Sequence, residues 1–222
     1  MFDHSIDKIV ATLATAAFAA LLCAAEAAAL STEPYSPCGP LDGGWYGPLD
    51  YRTATAAEKQ LVEGTHFTKD VENLVKGATG PLAADIDYTL RAFPNNPRAL
   101  LSMSKLGLRQ KTQTLPGAKW TVDCYFERAI RWRPDDSLVR LVFGIHLTRL
   151  GRKDLARGQL EIAEQHPIDK ASFYYNLGLA FLDIDDPDRA LPLAWRAYEI
   201  GYDLPGLRNR LEKLGKWRDP EK

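Results

Sequence analysis

The chain has 222 residues, of which 26% are charged and 45% hydrophobic, and its mean hydropathy is −0.27. This composition is typical of a soluble globular protein and excludes a collagen-like or low-complexity chain. The formal net charge of −1 leaves no bulk basic field that would attract the chain to nucleic acid or to a membrane surface.

Residues 1–29 are predicted to form a secretory signal peptide. No charged side chain occurs from Ile9 to Ala25, and the small residues that follow offer two small-x-small cleavage sites, at 25–27 and 27–29. The alternative is an uncleaved anchor, because a run of about 17 uncharged residues just reaches the length of a membrane span. Contact with a membrane is expected only in that case.

Removal of the signal peptide would leave two cysteines, Cys38 and Cys124. An even number of cysteines in an oxidising compartment favours a disulfide. The bridge would close a long loop, which is worth roughly 4–5 kcal/mol in the chain-entropy model. The alternative is two unpaired thiols, with Cys124 a buried residue of a helix.

Residues 30–65 are predicted to form an irregular N-terminal arm that ends in a short helix. The part up to Ala54 is rich in Pro and Gly, which excludes a helix or a central strand, and its aromatic residues argue against a free linker. Thr55 and Glu58 have the spacing of a capping box, which predicts a helix from there to about Glu63. We expect the arm to pack on the helices that follow.

The second half of the chain contains a period of 34 residues. It relates three pairs of small residues: Gly144 and Gly178, Ala156 and Ala190, and Ala163 and Ala197. This period resembles the tetratricopeptide repeat (TPR), a helix–turn–helix unit. The second copy matches the TPR signature at Tyr174, Leu177, Gly178, Phe181, Ala190 and Ala197. Small residues let the two helices of a unit approach closely, and units stack because one alone cannot bury its apolar face.

Weaker matches extend the pattern upstream. Residues 125–134 resemble the second half of a unit and Leu106 with Gly107 the first half, with extra residues in the loop 110–120. Residues 80–97 resemble another second helix, whose partner would be a short helix within 65–77.

Turn residues mark the later boundaries. Asp186 is predicted to cap a helix that begins at Pro187. Pro205 is predicted to start a last helix with a polar outer side, which is how such stacks end. Its apolar stripe would be Leu207, Leu211 and Leu214, and Gly215 would be its C-cap.

The resemblance therefore implies an all-α fold, a TPR-like α-solenoid of three to four helix pairs. The repeats would span 66–203, after the irregular arm. A capping helix would occupy 204–217 and a tail 218–222.

In the TPR family, one face of each first helix lines a concave groove that holds a peptide or a partner segment. The corresponding residues here are Leu101, Ser104, Leu108, Lys111, Leu138, Leu141, Ile145, Thr148, Arg149, Ser172, Tyr175, Leu179, Leu182 and Asp183. Asn176 is added because similar Asn residues in this family bind a peptide backbone. The lining would suit a helix or an extended peptide. The alternatives are that the N-terminal arm fills the groove, or that these leucines belong to the core.

Motifs for chemistry are scarce. His66, His146 and His166 belong to no metal-spaced cluster, and no nucleophile or phosphate-binding motif occurs. We interpret them as packing or surface residues. The acidic run 183–188 lacks the glycine that a calcium loop needs for its bend, so it is interpreted as a turn and a helix cap.

We therefore expect a non-catalytic protein-binding module, an adaptor or assembly factor whose partner is another envelope protein or a peptide segment. No cofactor, metal or nucleic acid is expected. The alternatives are a permanent accessory subunit of a cell-envelope complex and, third, an enzyme or small-ligand binder. The export signal and the family resemblance together favour the periplasm of a Gram-negative bacterium.

Overall fold

The computed structural model describes residues 36–41 and 46–220, and every regular element within these ranges is a helix. The chain divides into two compact units, 1–40 and 41–222. In the first unit, the described residues form a turn in which the amide of Gly39 donates to the carbonyl of Ser36 at 2.9 Å. The predicted signal peptide lies outside the described residues. None of the described helices is long and apolar enough to cross a membrane.

The described part of the second unit contains ten helices. They are α1 (Ala56–His66), α2 (Lys69–Glu72), α3 (Leu82–Ala92), α4 (Pro97–Gln110), α5 (Val122–Trp132), α6 (Ser137–Arg149), α7 (Lys153–Gln165), α8 (Ala171–Asp183), α9 (Pro187–Glu199) and α10 (Gly206–Lys213). The most extensive contacts are between α6 and α7 and between α8 and α9. In addition, α4 contacts α6 and α6 contacts α8, so these three helices pack in series.

The periodic glycines lie where helices approach most closely. A Cβ atom on Gly144 of α6 would overlap the side chain of Leu160 on α7. A Cβ atom on Gly178 of α8 would lie 2.7 Å from Cδ2 of Leu207 on α10. A larger residue at either position would have to displace the facing leucine side chain, which favours glycine there.

Two large apolar clusters form the core of this unit. The first is built by α6 to α10 and includes the fully buried Phe181 and Leu207. The second is built by α2 to α6 and includes the buried Leu90 and Phe126. A smaller cluster holds the segment 46–54. There, Tyr46, Leu49, Tyr51 and Ala54 pack on Val62, Ala92 and Phe93. The described part of the predicted arm in this unit is therefore ordered against the helices.

Most local predictions are confirmed. Thr55 and Glu58 form the capping box, although α1 continues to His66, beyond the predicted end near Glu63. Asp186 caps α9 by accepting from the amide of Arg189. Cys38 and Cys124 are each disulfide-bonded, as the predicted disulfide requires.

The predicted stripe of the last helix is wrong at one position. Leu207 and Leu211 are buried, but Leu214 is 57% exposed. The helix ends at Lys213, and Gly215 takes a positive φ of 65° just after the C-cap residue Leu214. Leu214 itself keeps helical backbone angles, so it is exposed because the described part of the chain places no element over its side chain.

Candidate functional site

The side chains predicted to line a groove divide into three sets on α4, α6 and α8. Four are buried, namely Ser104, Leu141, Tyr175 and Leu182, and their side chains belong to the interior. Five are apolar and half-buried: Leu101, Leu108, Leu138, Ile145 and Leu179. The remaining six are polar and are half-buried or exposed: Lys111, Thr148, Arg149, Ser172, Asn176 and Asp183.

The five half-buried apolar residues share one face of their helices. Leu101 and Leu108 are seven residues apart on α4, and Leu138 and Ile145 are seven apart on α6. Residues seven apart lie two turns apart on the same side of a helix. Leu179 on α8 has the place that Ile145 has on α6. We call these five residues the apolar row.

A cavity of about 450 Å³ lies at one end of the apolar row. Pro97 and Ser137 in its lining are the first residues of α4 and α6, and Lys170 is the N-cap residue of α8. The whole lining, which we call the basin, is Tyr51, Arg52, Lys59, Pro97, Asp135, Asp136, Ser137, Leu138, His166, Ile168 and Lys170. Leu138 belongs both to the basin and to the apolar row, so the two are continuous.

The acidic groups of the basin are already engaged. Arg52 donates to Asp135 at 2.8 Å, which lowers the pKa of that carboxyl. Asp136 caps α6 by accepting from the amides of Leu138 and Val139. Their negative charges are therefore partly neutralised within the protein.

The remaining charge of the basin is positive. Among the described residues 36–41 and 46–220, neither Lys59 nor Lys170 forms an ion pair. The ammonium of Lys59 instead lies 4.6 Å from the ring centroid of Tyr51. Helix α8 also begins at Lys170 without a side-chain cap, so its first amides add partial positive charge. The basin thus combines apolar walls with positive potential.

His146 is the centre of a buried network that sequence reasoning missed. Its Nε2 lies 3.0 Å from Oδ1 of Asp123, and its Nδ1 lies 2.8 Å from Oγ of Ser104. Arg152 donates to the other oxygen of Asp123 at 2.6 Å. The bond from His146 and then that from Arg152 lower the pKa of Asp123 to about 2, although burial opposes the change. These residues come from four separate parts of the chain, so no short sequence motif indicates that they lie together.

The Ser104–His146–Asp123 arrangement lacks the access that a nucleophile needs. His146 and Leu108 line a cavity of about 330 Å³, but Ser104 is only 3% exposed and is not part of that lining. The hydroxyl of Ser104 is therefore closed off from a substrate in this cavity. We interpret the network as an interior one that joins α4, α5 and α6.

The two other histidines lie in different places. His66 stacks on Tyr88 at 3.9 Å, and its Nδ1 lies 3.1 Å from Asp85, which also accepts from the amides of Ala78 and Thr79. His166 is exposed at the basin, and its carbonyl accepts from the hydroxyl of Ser137. Among the described residues, no group of His, Cys, Asp and Glu is arranged to hold a metal ion.

The acidic run between α8 and α9 forms ion pairs across neighbouring helices. Its pairs are Asp183 with Arg210, Asp185 with Lys153, Asp186 with Arg157, and Asp188 with Lys216. The run therefore serves as the predicted turn and cap.

Sequence reasoning also missed Lys59, His166, Ile168 and Lys170 of the basin. They lie on α1 and in the loop before α8, outside the positions that the TPR resemblance assigns to a groove. Comparison with known proteins finds no matching family model, no significantly similar curated protein and no significantly similar solved structure. The functional conclusion therefore depends on the geometry of the apolar row and the basin.

Proposed function

We propose that the chain is a non-catalytic, TPR-like α-solenoid that binds a segment of another protein along α4, α6 and α8. The proposed role is that of an exported adaptor or assembly factor of the periplasm. The observation that carries the proposal is the continuity of the apolar row with the basin. A surface of this length and chemistry suits a peptide segment better than a compact small molecule.

The apolar row would supply affinity through burial. Its side chains are half-buried, so a partner that covers them removes the remaining apolar surface from water, at about 25 cal/mol per Å² before the costs of association. Leu138, Ile145 and Leu179 pack against the core cluster that contains the buried Leu141 and Tyr175. This arrangement favours a partner with apolar side chains on one face.

Polar groups beside the row would fix the partner's backbone. Asn176 is exposed, and its Nδ2 donates to the carbonyl of Ser172 at 2.8 Å within α8. An exposed amide of this kind exchanges partners at little cost, since water or a peptide carbonyl can accept the same hydrogen bond. Asn176 is therefore proposed to contact the backbone of the bound segment.

The charge of the basin indicates the chemistry of the segment's end. Lys59 and Lys170 are cations without an ion-pair partner in the described part of the chain. Opposite charge across an interface increases the association rate and selects the partner. We therefore propose that the segment carries Asp or Glu residues next to its apolar residues.

Labelled peptides that alternate Leu with Glu test this proposal, with matched peptides in which Gln replaces Glu. Fluorescence anisotropy should show binding of the acidic peptides to the wild type. The substitution Lys170→Glu should weaken that binding by about fivefold or more, because it reverses a charge at the basin. Lys213→Glu is the control, since Lys213 is exposed on α10, away from the basin. Equal effects of the two substitutions, or equal binding of the Gln peptides, would contradict the proposal.

A further inference from the structure

A second cavity, separate from the surface proposed above, lies where α9, α10 and the tail meet. Its volume is about 530 Å³, and four of its nine lining residues are aromatic. They are Trp195 and Tyr198 on α9, Tyr202 in the following loop and Trp217 in the tail. We call this cavity the aromatic pocket. Its volume falls within the range of about 300–1,000 Å³ that is usual for small-molecule sites.

The walls of the aromatic pocket are held in place by the protein itself. Nε1 of Trp195 donates to the carbonyl of Arg218 at 2.8 Å. Oη of Tyr198 donates to the carbonyl of Leu204 at 3.1 Å and accepts from the amide of Arg208 at 3.0 Å. A ligand would therefore meet side chains that are already ordered, which reduces the entropic cost of binding.

The rings also stand in a defined arrangement. The rings of Tyr198 and Trp217 are 6.1 Å apart and inclined at 72°, so two walls meet almost at a right angle. The ring of Tyr202 is supported by Tyr175, with centroids 4.2 Å apart. Such a corner presents electron-rich ring faces to a group placed between the walls.

The charges at the aromatic pocket favour a cation. Its lining contains the acidic residues Glu199 and Asp203 and one basic residue, Arg208. Glu199 is paired with Arg196 at 2.8 Å. Arg208 is paired with Glu212 at 2.8 Å. Asp203 has no ion-pair partner within the described ranges, so the unneutralised charge of the lining is negative.

The protein already places a cation on one of these rings. The guanidinium carbon of Arg208 lies 4.7 Å from the ring centroid of Trp217. Nε1 of Trp195 and Oη of Tyr198 are already hydrogen-bonded, whereas Nε1 of Trp217 is buried without a hydrogen-bond partner among the described residues.

We propose that the aromatic pocket binds a small organic cation with a quaternary ammonium group. The aromatic faces of Tyr198, Tyr202 and Trp217 surround the methyl groups, and the carboxylate of Asp203 balances the charge. Quaternary ammonium ions suit such a site because they carry charge without hydrogen-bond donors, so the rings need only replace weakly held water.

Choline and its neutral isostere 3,3-dimethylbutan-1-ol test the proposal. In ¹⁵N-labelled full-length protein, the indole N–H signals of Trp195 and Trp217 should shift saturably with choline and not with the isostere. The substitution Trp217→Phe assigns the signals and keeps an aromatic wall. Asp203→Asn should weaken choline binding by about threefold or more, because it removes the unpaired charge. Asp154→Asn is the matched control, since Asp154 is an exposed carboxylate on α7.

Equal binding of choline and its isostere would overturn the proposal, because the pocket would then recognise only shape and apolar surface. Absence of any shift with choline up to its solubility limit would overturn it as well. A shift with an oligosaccharide of N-acetylglucosamine but not with choline would assign the pocket to sugars instead. Circular dichroism of each variant must match the wild type, so that a lost signal is not a lost fold.

Discussion

Nε2 of His146 lies 3.0 Å from Oδ1 of Asp123, and this hydrogen bond joins α6 to α5. His146 is almost fully buried, so both its nitrogens must find partners within the protein. Because a carboxylate only accepts, Nε2 donates to Asp123, and Nδ1 lies 2.8 Å from the hydroxyl oxygen of Ser104. One side chain thereby satisfies groups on three helices.

This network predicts a specific loss of stability in acid. The pKa of Asp123 is lowered from 3.8 to about 2. The ionised carboxylate therefore stabilises the folded protein, and this stabilisation is fully present above the unfolded-state pKa near 3.8. The contribution is lost as the pH falls from there through about 2, because the unfolded chain binds the proton more readily. Urea unfolding of Asp123→Asn should show a smaller decline in stability over this range than the wild type. An equal decline in both proteins would contradict the assignment.

Adding one methyl group at Gly144 is expected to lower the free energy of unfolding substantially. Gly144→Ala should destabilise the protein by about 1–3 kcal/mol, because the new Cβ overlaps Leu160 between α6 and α7. Gly158→Ala on α7 is the matched control, since a Cβ there meets no atom within 4 Å. The control should be stabilising by roughly 0.5–1 kcal/mol, which is the usual preference for Ala in a helix. Urea unfolding of both variants measures the difference, and the same sign for the two would contradict the proposed close approach.

Asn95 is predicted to hold the segment 46–54 on the helices. It is fully buried, donates to the carboxylates of Asp50 at 2.7 Å and Asp136 at 2.8 Å, and accepts from the amide of Tyr51 at 2.9 Å. Burial raises the pKa of Asp50, but hydrogen bonds from Arg52, Arg133 and Asn95 outweigh it and hold that pKa well below its ordinary range.

Asn95→Asp should therefore be more damaging than Asn95→Ala. Both variants lose the hydrogen bonds that Asn95 donates to the two carboxylates, at a cost of about 1–3 kcal/mol, but only Asp adds a third negative charge beside Asp50 and Asp136. Limited proteolysis within 46–54 should become faster in that order. Equal cleavage rates for the wild type and both variants would show that other contacts hold the segment.

Asp186 and Asp188 offer a test of the helix cap. Asp186→Ala should cost about 1 kcal/mol of stability, because its carboxylate accepts from the amide of Arg189 at the start of α9. Asp188→Ala should cost at most about 0.5 kcal/mol, since it removes only an exposed pair with Lys216. Thermal unfolding of the two variants compares them, and a larger effect at Asp188 would refute the cap.

Local chemistry made the helical elements predictable from the sequence. The caps at Thr55 and Asp186 and the close contacts at Gly144 and Gly178 each depend on residues near one another in the chain or related by the 34-residue period. Leu214 was mispredicted because apolar spacing alone does not reveal how far along a helix face the neighbouring elements extend.

The candidate site was predictable only in part. The apolar row follows from helical periodicity, whereas the basin combines Lys59 of α1 with Lys170, which is 111 positions later. The four buried residues Ser104, Leu141, Tyr175 and Leu182 occupy groove positions by spacing, but the packing of neighbouring helices covers them. Which positions on a helix face stay accessible depends on tertiary contacts that spacing does not encode.

Site-specific photocrosslinking in the native cell envelope tests the central claim most directly. A photoreactive residue at Leu179, in the apolar row, should crosslink to a segment of one partner that contains apolar and acidic residues. The same residue at Leu155 is the control, because Leu155 is exposed on α7, outside the row. Lys170→Glu should reduce the crosslink from Leu179. Equal crosslinking from both positions, or a crosslink from Leu179 that Lys170→Glu leaves unchanged, would contradict the claim that this face binds the partner.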